Sequence, residues 1–321
     1  MAYTSGSLIE ATDYNGFANT TAGANVNNVW STGSTDSGWG QTALATVSAA
    51  GSITATQWAS LVNTISSMGS QTGTTVTART APVVGDTINI LTALNTDLTN
   101  ITTNRQNAVA NGTQFTGWTG TNSKTAATSG ATWSITFVNT VTFASADAAR
   151  YFFNAGGRIK IDVSKTATGA TGDPEWNDLA NTLCGDIFIT GGTATQTIAG
   201  ANYTGTTKVG GTGTPTTLLT TTGWYDLTAG AAATIVYKQF ADTAPYTSNF
   251  IQHSIAKGAS SNTLVITTLW SASDGDPISG GTASSGATPG TAPTTIVTYF
   301  PPSTTYLTAS WGTPTVAATT T

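Results

Sequence analysis

The sequence predicts an α+β fold: an N-terminal extended segment and helices, followed by a mainly antiparallel β-sandwich carrying two short helices. Three observations lead there. Charged residues are 8% of the 321, against roughly 25% in an ordinary soluble domain. Threonine fills much of the gap at about a fifth of the chain; its β-branched side chain suits a pleated surface while its hydroxyl keeps that surface wettable. Short period-2 runs then crowd the C-terminal part, whereas apolar residues between 55 and 110 recur at spacings of three and four. Nine Trp, nine Tyr and ten Phe supply the core that a disordered chain would lack.

Two regions are expected, an attachment or oligomerisation region over 1–120 and a sandwich domain over 131–321. Residues 1–50 space Tyr3, Tyr14, Phe17, Trp30 and Trp39 among Gly, Asn, Ser and Thr. Such a segment is ordered either by docking on a neighbouring subunit or by covering the chain's own helices, and both readings stay open. Thr54 and Gln57 form a capping-box pattern. Trp58, Leu61, Ile65 and Met68 then mark a helix over about 55–69 that stops at Gly69 or Gly73. A second helix is predicted over about 84–110, between Pro82 and Gly112. Leu91, Leu94, Leu98, Ile101, Arg105 and Ala108 form its heptad-like seam. That seam packs either in an α-hairpin within one subunit or in a short bundle around a symmetry axis. Residues 111–130 read as a linker.

In the sandwich region Trp133, Ile135, Phe137, Val141 and Phe143 mark the first strand. The stretch Ser145–Lys165 follows as a short helix with Tyr151 and Phe152, a stop at Gly156 and Gly157, and a strand carrying Ile159, Ile161 and Val163. Asp173, Pro174 and Glu175 give N-cap, first-turn and dipole signals for a helix that buries Trp176, Leu179, Ala180 and Leu183 and ends at Gly185. Further strands are expected over 186–190, 218–227, 234–240, 250–256, 263–270, 294–300 and 305–311. The pair flanking KGASSN should form a hairpin, and residues 271–293 a long Gly/Ser/Pro-rich loop.

The net charge of −5 and the lack of any basic run argue against a nucleic-acid partner. No run of about 18 apolar residues offers a membrane span, and the start lacks the pattern of a signal peptide. A lone Cys184 allows no internal disulfide and suits assembly in a reducing cytoplasm. His253 shares a strand face with Ile251 and Ile255 and reads as a packed, hydrogen-bonded residue. With one His and one Cys, a zinc site has too few ligands. The two glutamates and thirteen aspartates show no glycosidase-like pair. Asp274 and Asp276 read as a polar turn, and the glycines match no nucleotide-binding fingerprint. No catalytic residue, cofactor or metal is therefore expected.

The stretches AYTSGSLIEATDYNGF, WSTGSTDSGWGQ, ITATQWASL, ARYFFNAGGRIKI with EWNDL, and VTYFPPSTTYLTASWG resemble virion structural proteins of tailed bacteriophages, cyanophages in particular. The resemblance implies a non-enzymatic tail-fibre, baseplate or neck component, located in the virion and assembled in the host cytoplasm. Its alternatives are a capsid decoration or collar protein, or an adhesin for host surface glycans. It further implies partners among other virion proteins and copies of itself, as a trimer. Tyr3, Tyr14, Phe17, Trp30, Trp39, Leu91, Leu94, Leu98 and Ile101 are the expected interface.

Overall fold

Period-2 burial organises the larger part of the molecule into two antiparallel sheets, packed together as the sandwich of an α+β fold. The computed structural model describes residues 10–19, 23–34, 36–85, 91–114, 117–121, 133–166, 173–192, 194–272 and 293–320. Four helices come first: α1 (Ala11–Ala18), α2 (Val26–Trp30), α3 (Ala55–Thr72) and α4 (Leu91–Thr103). Then follow β1 (Trp118–Thr121), β2 (Trp133–Thr142), α5 (Ala146–Asn154), β3 (Arg158–Ser164) and α6 (Asp173–Asp178), which runs on as π-helical turns over Leu179–Cys184. The remaining strands are β4 (Asp186–Ile189), β5 (Gln196–Ile198), β6 (Ala201–Tyr203), β7 (Thr206–Val209), β8 (Thr217–Leu218), β9 (Thr234–Phe240), β10 (Phe250–Lys257), β11 (Thr263–Ala272), β12 (Thr294–Phe300) and β13 (Thr315–Thr320).

One sheet has the order β1-β12-β3-β4-β7 and the other β13-β2-β11-β10-β9-β8, with β5 and β6 as a separate hairpin. Ile135, Phe137 and Val141 of β2, Ile266 and Trp270 of β11, and Ile159, Ile161 and Val163 of β3 are buried in one apolar cluster. Register sets Phe137 opposite Thr268, Thr268 opposite His253, and His253 opposite Tyr237 across four strands. Thr206 of β7 donates to the Leu219 carbonyl just past β8 at 3.4 Å, which ties two sheet edges together.

That cluster also takes in Tyr14, Trp39, Trp58 and Leu94 from the N-terminal region. β1 pairs with β12, so the chain before residue 122 contributes directly to the first sheet. The N-terminal region thus shares its core with the sandwich.

Several predicted elements need correction. The helix expected over 55–69 runs to Thr72 and ends at Gly73, which has φ 69°, the left-handed conformation glycine tolerates. The helix expected over 84–110 is confined, among the described residues, to Leu91–Thr103. Val84 and Gly85 form a turn, and Asn104–Gln106 turn away. The chain leaves because Ala108 N donates to Thr197 O at 3.0 Å and Ala108 O accepts from Ala199 N at 2.7 Å, which seats it against the β5–β6 hairpin. The strand expected over 218–227 shrinks to Thr217–Leu218, since Trp224–Asp226 is a 3-10 turn closed by Asp226 Oδ2 accepting from Gly223 N at 2.8 Å. Residues 305–311 form no strand, because the Gln41 side chain accepts the Thr308 N–H at 2.8 Å in place of a ladder partner. The last strand is instead β13, which pairs with β2. The hairpin flanking KGASSN is β10–β11. Most of the loop expected over 271–293 lies outside the described residues, and β11 extends to Ala272.

The stop after α5 is specific to glycine. Gly156 has φ 94°, and an added Cβ would lie 2.7 Å from the Ala108 Cβ. Gly156→Ala is therefore expected to destabilise the protein by about 2–4 kcal/mol, combining the left-handed cost with overpacking; urea unfolding measures it.

Candidate functional site

The segment on which the resemblance chiefly rests is built as a structural junction, and its outer side forms the wall of a cleft. Ser145 caps α5 by accepting from Ala148 N at 3.0 Å. Asp147 in the first turn favours the positive helix end and pairs with Arg150 at 3.0 Å. The Arg150 guanidinium also donates to the carbonyls of Thr32 (2.7 Å) and Ser37 (2.6 Å). At the other end of α5, the fully buried Asn154 amide donates to Ser37 O (2.7 Å) and Gly38 O (2.9 Å), and its side-chain oxygen accepts from the Tyr225 hydroxyl. Trp39, also fully buried, returns its indole N–H to the carbonyls of Arg105 (3.0 Å) and Asn154 (3.1 Å). Residues 31–41 are thus strapped to α5 by side-chain-to-backbone bonds.

The charges of the same stretch are structural too. Arg158 is buried, with Nη1 donating to Asn111 Oδ1 at 2.7 Å and its guanidinium over the rings of Phe300 (4.5 Å), Tyr203 (4.7 Å) and Phe188 (5.5 Å). Burial lowers its pKa, and the ring faces partly compensate the desolvated cation. Lys160 pairs with Asp186 at 3.2 Å and Asp162 at 3.7 Å.

Beside α5 lies a cleft of about 630 Å³. Its lining includes Asp147 and Arg150 of α5, the Trp224–Asp226 turn and Lys257, the last residue of β10. Asp36 and Gln106 complete the polar walls. Phe153 stacks on Trp224 at 5.2 Å with 19° between ring planes. The Lys257 ammonium sits 4.6 Å from the centre of the Trp224 ring. Burial pushes the Lys257 pKa down, and the nearby Asp226 carboxylate partly opposes this. Sequence reasoning singled out none of these cleft residues, because Asp147, Trp224 and Lys257 are far apart in the chain and each fits a local structural role.

The residues expected at an interface lie largely inside this chain. Tyr14 is buried edge-on to Trp58, 5.6 Å between ring centres, and Phe17 and Trp39 are buried as well. Trp30 is half-buried against Trp39. Leu94, Leu98 and Ile101 are fully buried in the common core. Tyr3 lies outside the described residues, as does the side chain of Leu91. The aromatic cluster is therefore intramolecular cover in this fold.

His253 is buried, with Nδ1 3.0 Å from Thr268 Oγ1 and its ring stacked on Tyr237 at 5.3 Å. Burial lowers its pKa to about 3. Cys184 is fully buried and its thiol pushed up to about 12, chiefly by burial, with Tyr237 and Lys208 opposing. Such a thiol is inert, so Cys184 should resist a disulfide reagent at pH 8 in the folded protein and react once urea unfolds the chain. Rapid labelling of the native protein would contradict this placement. Burial raises the pKa of Glu175, and Asp178 and Asp242 add to the rise. Among the described residues no group of three or more His, Cys, Asp or Glu is placed to hold a metal ion. Asp274 and Asp276 lie outside the described residues. Among the described residues, no helix is long and apolar enough to cross a membrane.

Comparison of the chain with family models, with curated proteins and with solved structures finds no match.

Proposed function

We propose that this chain is a non-enzymatic structural protein of a bacteriophage particle, a tail-fibre or baseplate-associated component. A collar or capsid-decorating position is the alternative. One observation carries most of the physical argument: the strap over residues 31–41 is locked to α5 by buried bonds from Asn154, Trp39 and Arg150, in a chain with a single cysteine. Cross-bracing of this kind supports durability outside a cell without disulfides, which is what a particle component needs. The charge-poor, threonine-rich composition supports the same reading.

In this reading the subunits, three to an assembly in a fibre, meet through faces other than the aromatic cluster, because those side chains serve the chain's own core. Mass spectrometry of purified particles, followed by a cryo-electron-microscopy map, tests the proposal. The expected result is the chain at a fixed copy number on the tail or neck, with density for both sheets. Absence from purified particles would overturn it. Release of fragments from host surface polysaccharide by the isolated chain would overturn the non-enzymatic part.

A further inference from the structure

We infer that Lys257 is a carbonyl-capturing amine: the cleft beside α5 admits a small aldehyde, which condenses with the Lys257 side chain as an imine. The lysines of this chain differ in what holds their ammonium groups. Lys160 is paired with Asp186 and Asp162. Lys208 donates to the carbonyls of Gly211 (3.1 Å) and Gly213 (2.7 Å), and the buried Lys165 donates to Thr166 O at 3.3 Å. Among the described residues, Lys257 makes neither an ion pair nor a side-chain hydrogen bond; its ammonium rests over the Trp224 ring, 4.6 Å from the centre. The neighbouring carboxylate is engaged elsewhere, since Asp226 Oδ2 accepts from Gly223 N at 2.8 Å. Lys238 is likewise held over rings, those of Phe250 and Phe240. Of the described lysines, only Lys257 lines the cleft.

That difference decides which amine reacts. The ammonium releases a proton, and the freed lone pair attacks the carbonyl carbon. A second hydrogen passes from nitrogen to oxygen, and the returning proton takes that oxygen away as water, leaving an iminium. No oxidant or reductant is consumed. At Lys160 or Lys208 the ammonium hydrogens are committed to acceptors, which the product would strand. At Lys257 the ring holds the positive charge and not the hydrogens, so the iminium keeps the contact that the ammonium had. Burial also favours the neutral amine at this position, the form that attacks a carbonyl. The cleft gives the aldehyde somewhere to reside, because about 630 Å³ falls in the range of small-ligand sites. Capture is stoichiometric, without turnover, so it neither needs nor opposes the particle role. The isolated chain decides it, whereas the particle role is decided on the virion.

The test treats the folded chain at pH 7 with propanal and cyanoborohydride, which fixes each imine as a secondary amine, and reads the labelled lysines by peptide mass spectrometry. Lys257 should be alkylated about tenfold faster than Lys160, Lys208 or Lys238. Its rate should level off as propanal is raised, because the aldehyde first occupies the cleft, and its advantage should vanish in urea. Lys257→Arg, which keeps a cation for Trp224 to hold, should remove the fast phase without changing the melting temperature. Uniform labelling of the folded chain, a Lys257 rate that climbs linearly with propanal throughout, or an advantage that survives in urea would each overturn the inference.

Discussion

Replacing Asn154 with alanine is expected to cost about 2–4 kcal/mol of stability, and replacing it with aspartate to cost more. Asn154 has no exposed surface, and its amide is a donor to the carbonyls of Ser37 and Gly38. Ser37 keeps a second donor in Arg150 at 2.6 Å, so alanine chiefly strands the Gly38 carbonyl and leaves a cavity beside Tyr225. One orphaned buried acceptor costs about 1–3 kcal/mol and the cavity adds to it. Aspartate fills the space but turns the donor edge into an acceptor facing two carbonyls, with a charge that is expensive to bury. Urea unfolding at pH 7 should therefore order stability as parent, then N154A, then N154D. An N154D variant as stable as the parent would mean that residues 31–41 are not held by this side chain.

The same residue shows where sequence reasoning reaches and where it ends. The helix, glycine stop and strand of ARYFFNAGGRIKI were legible because each signal is local: Ser145 caps, Gly156 takes a positive φ, and Ile159, Ile161 and Val163 alternate. The role of Asn154 was not, since its partners Ser37 and Gly38 lie 117 and 116 residues away and a helix-end asparagine is unremarkable by itself. Distance in sequence also hid the cleft, whose walls come from α5, from the turn at Trp224 and from the end of β10. The misread strands fail for a related reason. Residues 305–311 have apolar spacing suited to a strand, and Leu307 and Trp311 are indeed buried, but Gln41, 267 residues away, takes the backbone N–H that a neighbouring strand would have used. Helix α4 stops early because the β5–β6 hairpin offers Ala108 better partners than another helical turn.

Acidification from pH 6.5 towards pH 4.5 is expected to destabilise the protein at close to 1.4 kcal/mol per pH unit through His253 alone. The sign follows from which state takes the proton. In the unfolded chain the imidazole titrates near its ordinary 6.5, whereas burial holds the folded value down at about 3. Above pH 6.5 both states are neutral there and the residue contributes nothing that varies with pH. Between these values the unfolded chain binds a proton that the folded chain refuses, so stability falls as pH falls, by on the order of 4–5 kcal/mol across the whole window. The surroundings offer no relief: the ring stacks on Tyr237, Nδ1 meets the Thr268 hydroxyl, and the flanking strand residues Ile251 and Ile255 are apolar. Asp162 and Glu175, whose pKa values burial raises, act in the opposite sense, binding protons in the folded state first and offsetting part of the loss at lower pH. The histidine slope is therefore read most cleanly above pH 5, and with a single histidine in the chain it has one source. Urea midpoints measured from pH 7.5 to 5 should fall for the parent and stay nearly level for His253→Gln, which loses the ring stack at every pH but has nothing to titrate. A parent protein with a flat profile, or a variant with the parent's slope, would show that His253 takes up its proton without unfolding the sandwich.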